Sequence, residues 1–311
     1  MAYTAITQEG KSFILNACKT PSSRVSKLGY DVFHGKSPDR INDPKDSNYN
    51  TDGHLPYCSP QISGDKIWYS SPKDDAGNLI TTTDMLAENL IKWFDLYANQ
   101  YQIDANIVAA QAYQESGYLL WNYPLTSTAS GINQFTADTI FGFFGNGQQF
   151  SSEFTVGERN LITANLSGNL GIKDTFSVSA QLGKENRATL HQNIINNPKV
   201  MIKAQCIYLK YISGRCGGLA SSTLFGYSRG PGLAKSSYTK SIQAASTSKY
   251  GANYYLEGVN YVYGIFNFLG NPKYSKLGYF GYDKEPHDLK LNQPYDTYAA
   301  EVEEGKHILS N

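Results

Sequence analysis

Metal-binding patterns are missing from this chain. Its four cysteines, Cys18, Cys58, Cys206 and Cys216, lack metal-ligand spacing, and its five histidines, His34, His54, His191, His287 and His307, are scattered. No metal and no cofactor are therefore expected. Long apolar runs are missing too, since no segment reaches the roughly eighteen residues of a membrane span. The opening MAYTAITQEGKSFILNACK has no basic stretch leading into a sustained apolar core, so no signal peptide is expected. An excess of one charge is also absent. Lys and Arg number 27 and Asp and Glu number 27, which argues against a nucleic-acid surface and against a basic tether to anionic cell walls. A Cys206–Cys216 bridge is conceivable, but without export a packed, reduced Cys206 on the apolar side of its helix is the better expectation. No internal repeat or low-complexity tract occurs.

What is present is a chain of 311 residues, long enough to bury a substantial core, with 24 tyrosines and 14 phenylalanines. Aromatic faces serve sugar clefts, and equally cores and protein interfaces.

The most informative stretch runs from Asp104 to Ala137. Asp104 can accept from the unpaired amides of a first helical turn. The residues after it continue without Pro or Gly, placing Ile107, Val108, Ala112 and Glu115 on one side. Gly117 is free to take positive φ and should stop the helix. Glu115 then sits in the last turn, where the helix dipole disfavours its charged form; partial burial beside Tyr118, Leu119 and Trp121 would act the same way. A carboxyl group that keeps its proton suits a general acid at a glycosidic oxygen. An exposed surface glutamate is the bland alternative.

Four segments, in order, resemble the soluble lytic transglycosylases, whose catalytic domain is goose-lysozyme-like. The first is Gln114-Glu115-Ser116-Gly117, matching the family's Glu-Ser step. The second is Thr128-Ala129-Ser130-Gly131-Ile132-Asn133-Gln134-Phe135, similar to Gly-Ala-Ser-Gly-Leu-Met-Gln. The third is Asn197-Pro198 with Ile202, Ala204, Tyr208, Leu209 and Ile212. The fourth is Gly226-Tyr227-Ser228-Arg229-Gly230-Pro231-Gly232, similar to Ala-Tyr-Asn-Ala-Gly-Pro-Gly. A closing helix around Tyr255, Val259, Tyr261 and Val262 completes the order.

The resemblance implies a mainly α, lysozyme-like domain over residues 81–270. It is flanked by an irregular N-terminal extension (1–80) and an extended C-terminal tail (271–311), with an insertion at about 141–195. It also implies a peptidoglycan lytic transglycosylase. Glu115 would protonate the bond between N-acetylmuramic acid and N-acetylglucosamine, then take the proton of the muramoyl 6-hydroxyl as that oxygen attacks its own ring. Such intramolecular attack can carry effective molarities on the order of 10⁵ M, so no second carboxylate is needed. Tyr227 would hold the 2-acetamido group, although a packing tyrosine is the alternative. Gln134 would bond the substrate or Glu115, or else cap a helix. Gly131 and Asn133 would line the same subsite by their backbone. The family's cleft serine has no clean counterpart; Leu125 stands at its spacing, with Thr126 and Ser127 beside it, and Ser127 is the candidate.

The chain departs from the family pattern at Asn133, Thr136, Ala137, Ser228 and Arg229, and in the long span between Phe135 and Asn197. Without a signal peptide, a wall-cutting enzyme fits a bacteriophage product. It would sit in the virion on tail or baseplate proteins through residues 1–80 and 271–311, or in host cytoplasm before lysis. Two alternatives stay open. A lysozyme-type hydrolase would need Asp138 or Glu153 to activate water, although Asp138 also reads as a helix-start residue before Thr139. A virion structural protein would have kept the fold without turnover.

Smaller expectations concern the extension. A helix is expected at Gly10–Lys19, a strand at Lys66–Tyr69 and a turn at Asp75–Asn78. A helix from Thr83 would carry Leu86, Leu90, Phe94 and Leu96 on its apolar face. Asn48, Asn50, Asp52 and Gly53 only faintly echo a calcium loop, since Ser59 holds its twelfth position.

Overall fold

The computed structural model describes residues 3–19, 62–63, 66–67, 72–118, 120, 129, 131–166, 190, 193–250 and 254–269. The faint calcium echo, Ser127, Tyr69 and the tail 271–311 lie outside them. Among the described residues the chain is mainly α-helical. The first helix is α1 (Gln8–Lys19), whose Thr7 hydroxyl accepts from the Gly10 amide at 3.0 Å. A two-residue antiparallel pair follows, β1 (Ile62–Ser63) with β2 (Lys66–Ile67). The expected turn is present. Asp74 anchors it by accepting from the amides of Ala76 and Asn78.

Next come α2 (Thr83–Tyr101), α3 (Ala105–Ser116), α4 (Ala137–Phe144) and α5 (Val156–Thr163). Then follow α6 (Pro198–Arg215), α7 (Ala220–Arg229), α8 (Tyr238–Ser246) and α9 (Tyr254–Leu269). Their starts follow side-chain capping. Asp104 accepts from the Asn106 amide at 2.9 Å at the head of α3. Thr136 caps α4, Thr155 and Glu158 form a reciprocal capping box on α5, and α6 opens with Pro198, whose missing N–H is no loss there.

Two expectations need correction. Leu96 faces out, 45% exposed, and the buried side of α2 is made by Leu86, Leu90, Trp93, Phe94 and Tyr97. Helix α3 is also not one-sided, because every residue from Ala105 to Ala112 is fully buried, Asn106 and Gln111 included. Those amides are tolerated because they are bonded. Asn106 donates to the Ala5 carbonyl, and Gln111 donates to the Tyr261 hydroxyl and accepts from Gln205.

The chain divides into two compact units, residues 1–14, 91–114 and 205–311, and residues 15–90 and 115–204. In the first, α7, α8 and α9 pack on one another. Gly226 permits close approach there: a Cβ would meet Ala234 at 2.7 Å and Ile212 at 2.9 Å. Residues 4–7 are stitched to the head of α3 and to Asp95 by backbone and side-chain hydrogen bonds. In the second unit, Phe135, Phe143, Phe144, Phe150 and Phe154 form an aromatic cluster with centroids 4.6–6.1 Å apart. Lys203 reaches both oxygens of Glu158 at 2.9–3.0 Å and lies 5.1 Å from the Phe154 ring.

Cys18, Cys206 and Cys216 are free and buried, so the conceivable Cys206–Cys216 bridge is not formed. Burial pushes the Cys18 thiol up to about 12, keeping it protonated. No described helix is long and apolar enough to cross a membrane.

Candidate functional site

A left-handed turn follows the helix that carries Glu115, and a second lies in the same unit. Helix α3 ends at Ser116, with Glu115 half-buried in its last turn and no basic side chain beside it in that turn. Gly117 then takes φ +64 and Tyr118 φ +62. For glycine this is free. For a tyrosine the left-handed region costs about 1–2 kcal/mol. Tyr118 nevertheless adopts it while 1% exposed.

The second turn is the Gly131-Ile132-Asn133-Gln134 segment, in the same unit as Glu115. Gly131 has φ +74, and a Cβ on it would meet Ile194 Cγ2 at 2.5 Å. Glycine is therefore required both by its torsion and by the space around it. Gln134 has φ +50, and both its backbone amide (3.3 Å) and its Nε2 (2.8 Å) donate to the Gly131 carbonyl. The carboxamide of Gln134 thus closes its own turn. It does not cap a neighbouring helix through that nitrogen. Ile132 and Phe135 are buried anchors on either side, and Asn133 is fully buried. Of four non-glycine residues with positive φ among those described, one, Tyr118, directly follows the first motif segment and another, Gln134, lies within the second. Strain concentrated in this way is a mark of functional sites.

Tyr227 belongs to the other unit, near the end of α7. It is half-buried, packs on Ile212, Cys216 and Ala234, and joins a row of tyrosines. Its ring lies parallel to Tyr261 at 6.4 Å and edge-on to Tyr208 at 5.4 Å, while Tyr208 stacks against Tyr211. Burial, and then the neighbouring Tyr211, push the Tyr208 phenol up to about 12. The sequence named Tyr227 and Tyr261 separately, by motif and by closing helix. It did not reveal the row, because the members come from α6, α7 and α9. The turn after α7 is made by Gly230 at φ +104, as the Gly-Pro-Gly segment suggests.

Arg229, one of the departures, pairs with Glu257 and lies over the Tyr254 ring at 4.7 Å. Tyr254 in turn donates to the Arg229 carbonyl at 3.0 Å. This side chain ties the end of α7 to the start of α9. Asp138 sits half-buried in the first turn of α4, and Glu153 is exposed in a short 3-10 turn. Among the described residues no group of three or more His, Cys, Asp or Glu side chains could hold a metal ion.

No family model, no curated protein and no solved structure matches the chain.

Proposed function

We propose that the chain is a peptidoglycan lytic transglycosylase on a goose-lysozyme-like scaffold, with Glu115 as the single acid and base. The observation that carries this reading is the placement of Glu115. A carboxyl group at the end of a buried helix, closed by a strained Gly117-Tyr118 reversal, shares its unit with the Gly131–Gln134 turn. The ordered segments that resemble the family supply the substrate class.

In this account Glu115 first donates its proton to the bridging oxygen as the glycosidic bond breaks. The conjugate base then removes the proton from the muramoyl 6-hydroxyl, whose oxygen bonds to the anomeric carbon. One proton enters and one leaves, so the residue ends as it began and no water is consumed. The Gly131–Gln134 turn is assigned to the adjacent sugar. Tyr227 is assigned to the acetamido group on its motif alone.

The test is mass spectrometry of sacculi digested by the full chain. Wild type should release 1,6-anhydro muropeptides, and Glu115→Gln should release none. Reducing ends in place of anhydro ends would turn the reading to a hydrolase using Asp138 or Glu153. Absence of any released fragment from wild type would leave a virion structural protein. A phage tail or baseplate location belongs to the same proposal and would be checked by finding the chain in purified virions.

A further inference from the structure

The balanced charge of the whole chain hides a one-sided segment. Between Glu185 and Glu257 there is no Asp or Glu at all, while nine Lys and Arg residues stand there. Some of these are neutralised from elsewhere: Lys199 by Asp75, Lys203 by Glu158 and Arg229 by Glu257. Arg215, Lys235 and Lys240 are not. None of the three meets a carboxylate among the described residues, and all three line one open recess of about 960 Å³. Net charge summed over the whole chain averages this feature away.

The recess is built within a single unit, from the end of α6, the loop at Ala234–Ser236 and one side of α8. Two of its three cations are held by hydrogen bonds. Arg215 Nη1 donates to the Tyr211 hydroxyl at 3.1 Å, and its guanidinium lies 5.6 Å from that ring. Lys235 Nζ is held by the Gly232 carbonyl at 2.8 Å. Ser237 caps α8 through the Lys240 amide. By contrast, the Lys240 ammonium, the Ser236 hydroxyl and the Gln243 carboxamide make no hydrogen bond to any described residue. Three cations gathered without a counter-charge raise the local potential and concentrate anions.

The lining also says which anion. It contains no aromatic side chain, so no platform exists for stacking nucleobases. Three positive charges exceed what one carboxylate would neutralise, and suit a phosphate or a run of phosphodiesters. The free hydroxyl and amide complement the oxygens of a polyol. We propose that this recess binds a phosphate-bearing polyol. The same chemistry is presented by a polymeric chain and by a small phosphorylated polyol. The proposal is independent of glycan cleavage and would survive its failure.

The experiment is titration calorimetry with the full-length Glu115→Gln chain, using a synthetic glycerol phosphate decamer. Glycerol 3-phosphate, polyglutamate and single-stranded oligothymidylate of matched length serve as the other arms. The decamer should bind with a log–log salt slope of about −2 to −3, hence roughly 16- to 64-fold weaker at 200 mM than at 50 mM salt. Arg215→Gln, Lys235→Gln and Lys240→Gln should each reduce that slope by about one. The triple variant should lose binding at an unchanged unfolding midpoint. A monomer that binds as tightly as the decamer also supports the site and makes the small molecule its occupant. Absence of decamer and monomer binding, unchanged binding by the triple variant, or equal binding of polyglutamate or oligothymidylate would overturn the proposal.

Discussion

Gly131→Ala probes the turn that carries Gln134, and its consequences can be worked from two separate terms. At φ +74 an alanine occupies the left-handed region at a cost of about 1–2 kcal/mol. Its methyl would also stand 2.5 Å from Cγ2 of Ile194, a side chain only 3% exposed and stiff about χ1. Forcing a methyl into such a place costs about 1–3 kcal/mol. The single variant should thus lose about 2–5 kcal/mol in urea unfolding followed by tryptophan fluorescence. Ile194→Ala removes the obstructing methyl and, alone, should cost about 2–5 kcal/mol by leaving a cavity. In the double variant the obstruction is gone while the torsional cost stays. The two losses should therefore fall short of additivity by about 1–3 kcal/mol. A loss below about 0.5 kcal/mol for Gly131→Ala, or strict additivity, would refute the reasoning.

Other outcomes follow from the same structure. Lys203→Met strands Glu158, whose side chain is 20% exposed, and should cost about 1–3 kcal/mol, less than a fully buried pair would. Burial alone would raise the Glu158 pKa, but Lys203 and Thr155 outweigh it and hold the carboxyl below its ordinary 4.5. Its contribution to stability is accordingly complete above about pH 4.5 and lost as pH falls through the lower folded value. Unfolding midpoints measured from pH 6 down to 3 should show the loss in wild type and a flatter profile in Lys203→Met. Thr155→Ala should cost about 1 kcal/mol by uncapping α5, and Thr155→Ser should restore most of it. Tyr208, raised to about 12, favours the folded state fully below pH 10 and stops doing so as pH climbs through 12. Ultraviolet titration of tyrosinate should lose its latest component in Tyr208→Phe.

Local chemistry made much of the fold legible. Asp104 and Gly117 mark the ends of α3 because a carboxylate fits free amides and glycine fits a left-handed stop. Asn197-Pro198 stands at the start of α6, and Asp138, which reads as a helix-start residue, lies in the first turn of α4, whose cap, Thr136, is not singled out by the sequence. What escaped notice depends on partners far along the chain. The burial of Gln111 on all sides rests on Tyr261 and Gln205, far away in sequence. No periodicity in α3 reports them. Spacing predicts Leu96 inward, yet it is exposed while Trp93 and Tyr97 are buried.

The candidate site divides in the same way. Gly131 was readable as a turn residue, but the left-handed torsions of Tyr118 and Gln134 were not. Neither side chain favours them. The basic recess is invisible in the balanced charge of the whole chain and shows only in the acid-free stretch between Glu185 and Glu257.

Digestion of sacculi in oxygen-18 water examines the chemistry assigned to Glu115 most directly. A ring closed by its own 6-hydroxyl takes up no solvent oxygen, so the muramoyl ends released by wild type should carry no label, and Glu115→Gln should release none of them. Labelled reducing ends, or equal release by the variant, would contradict the account.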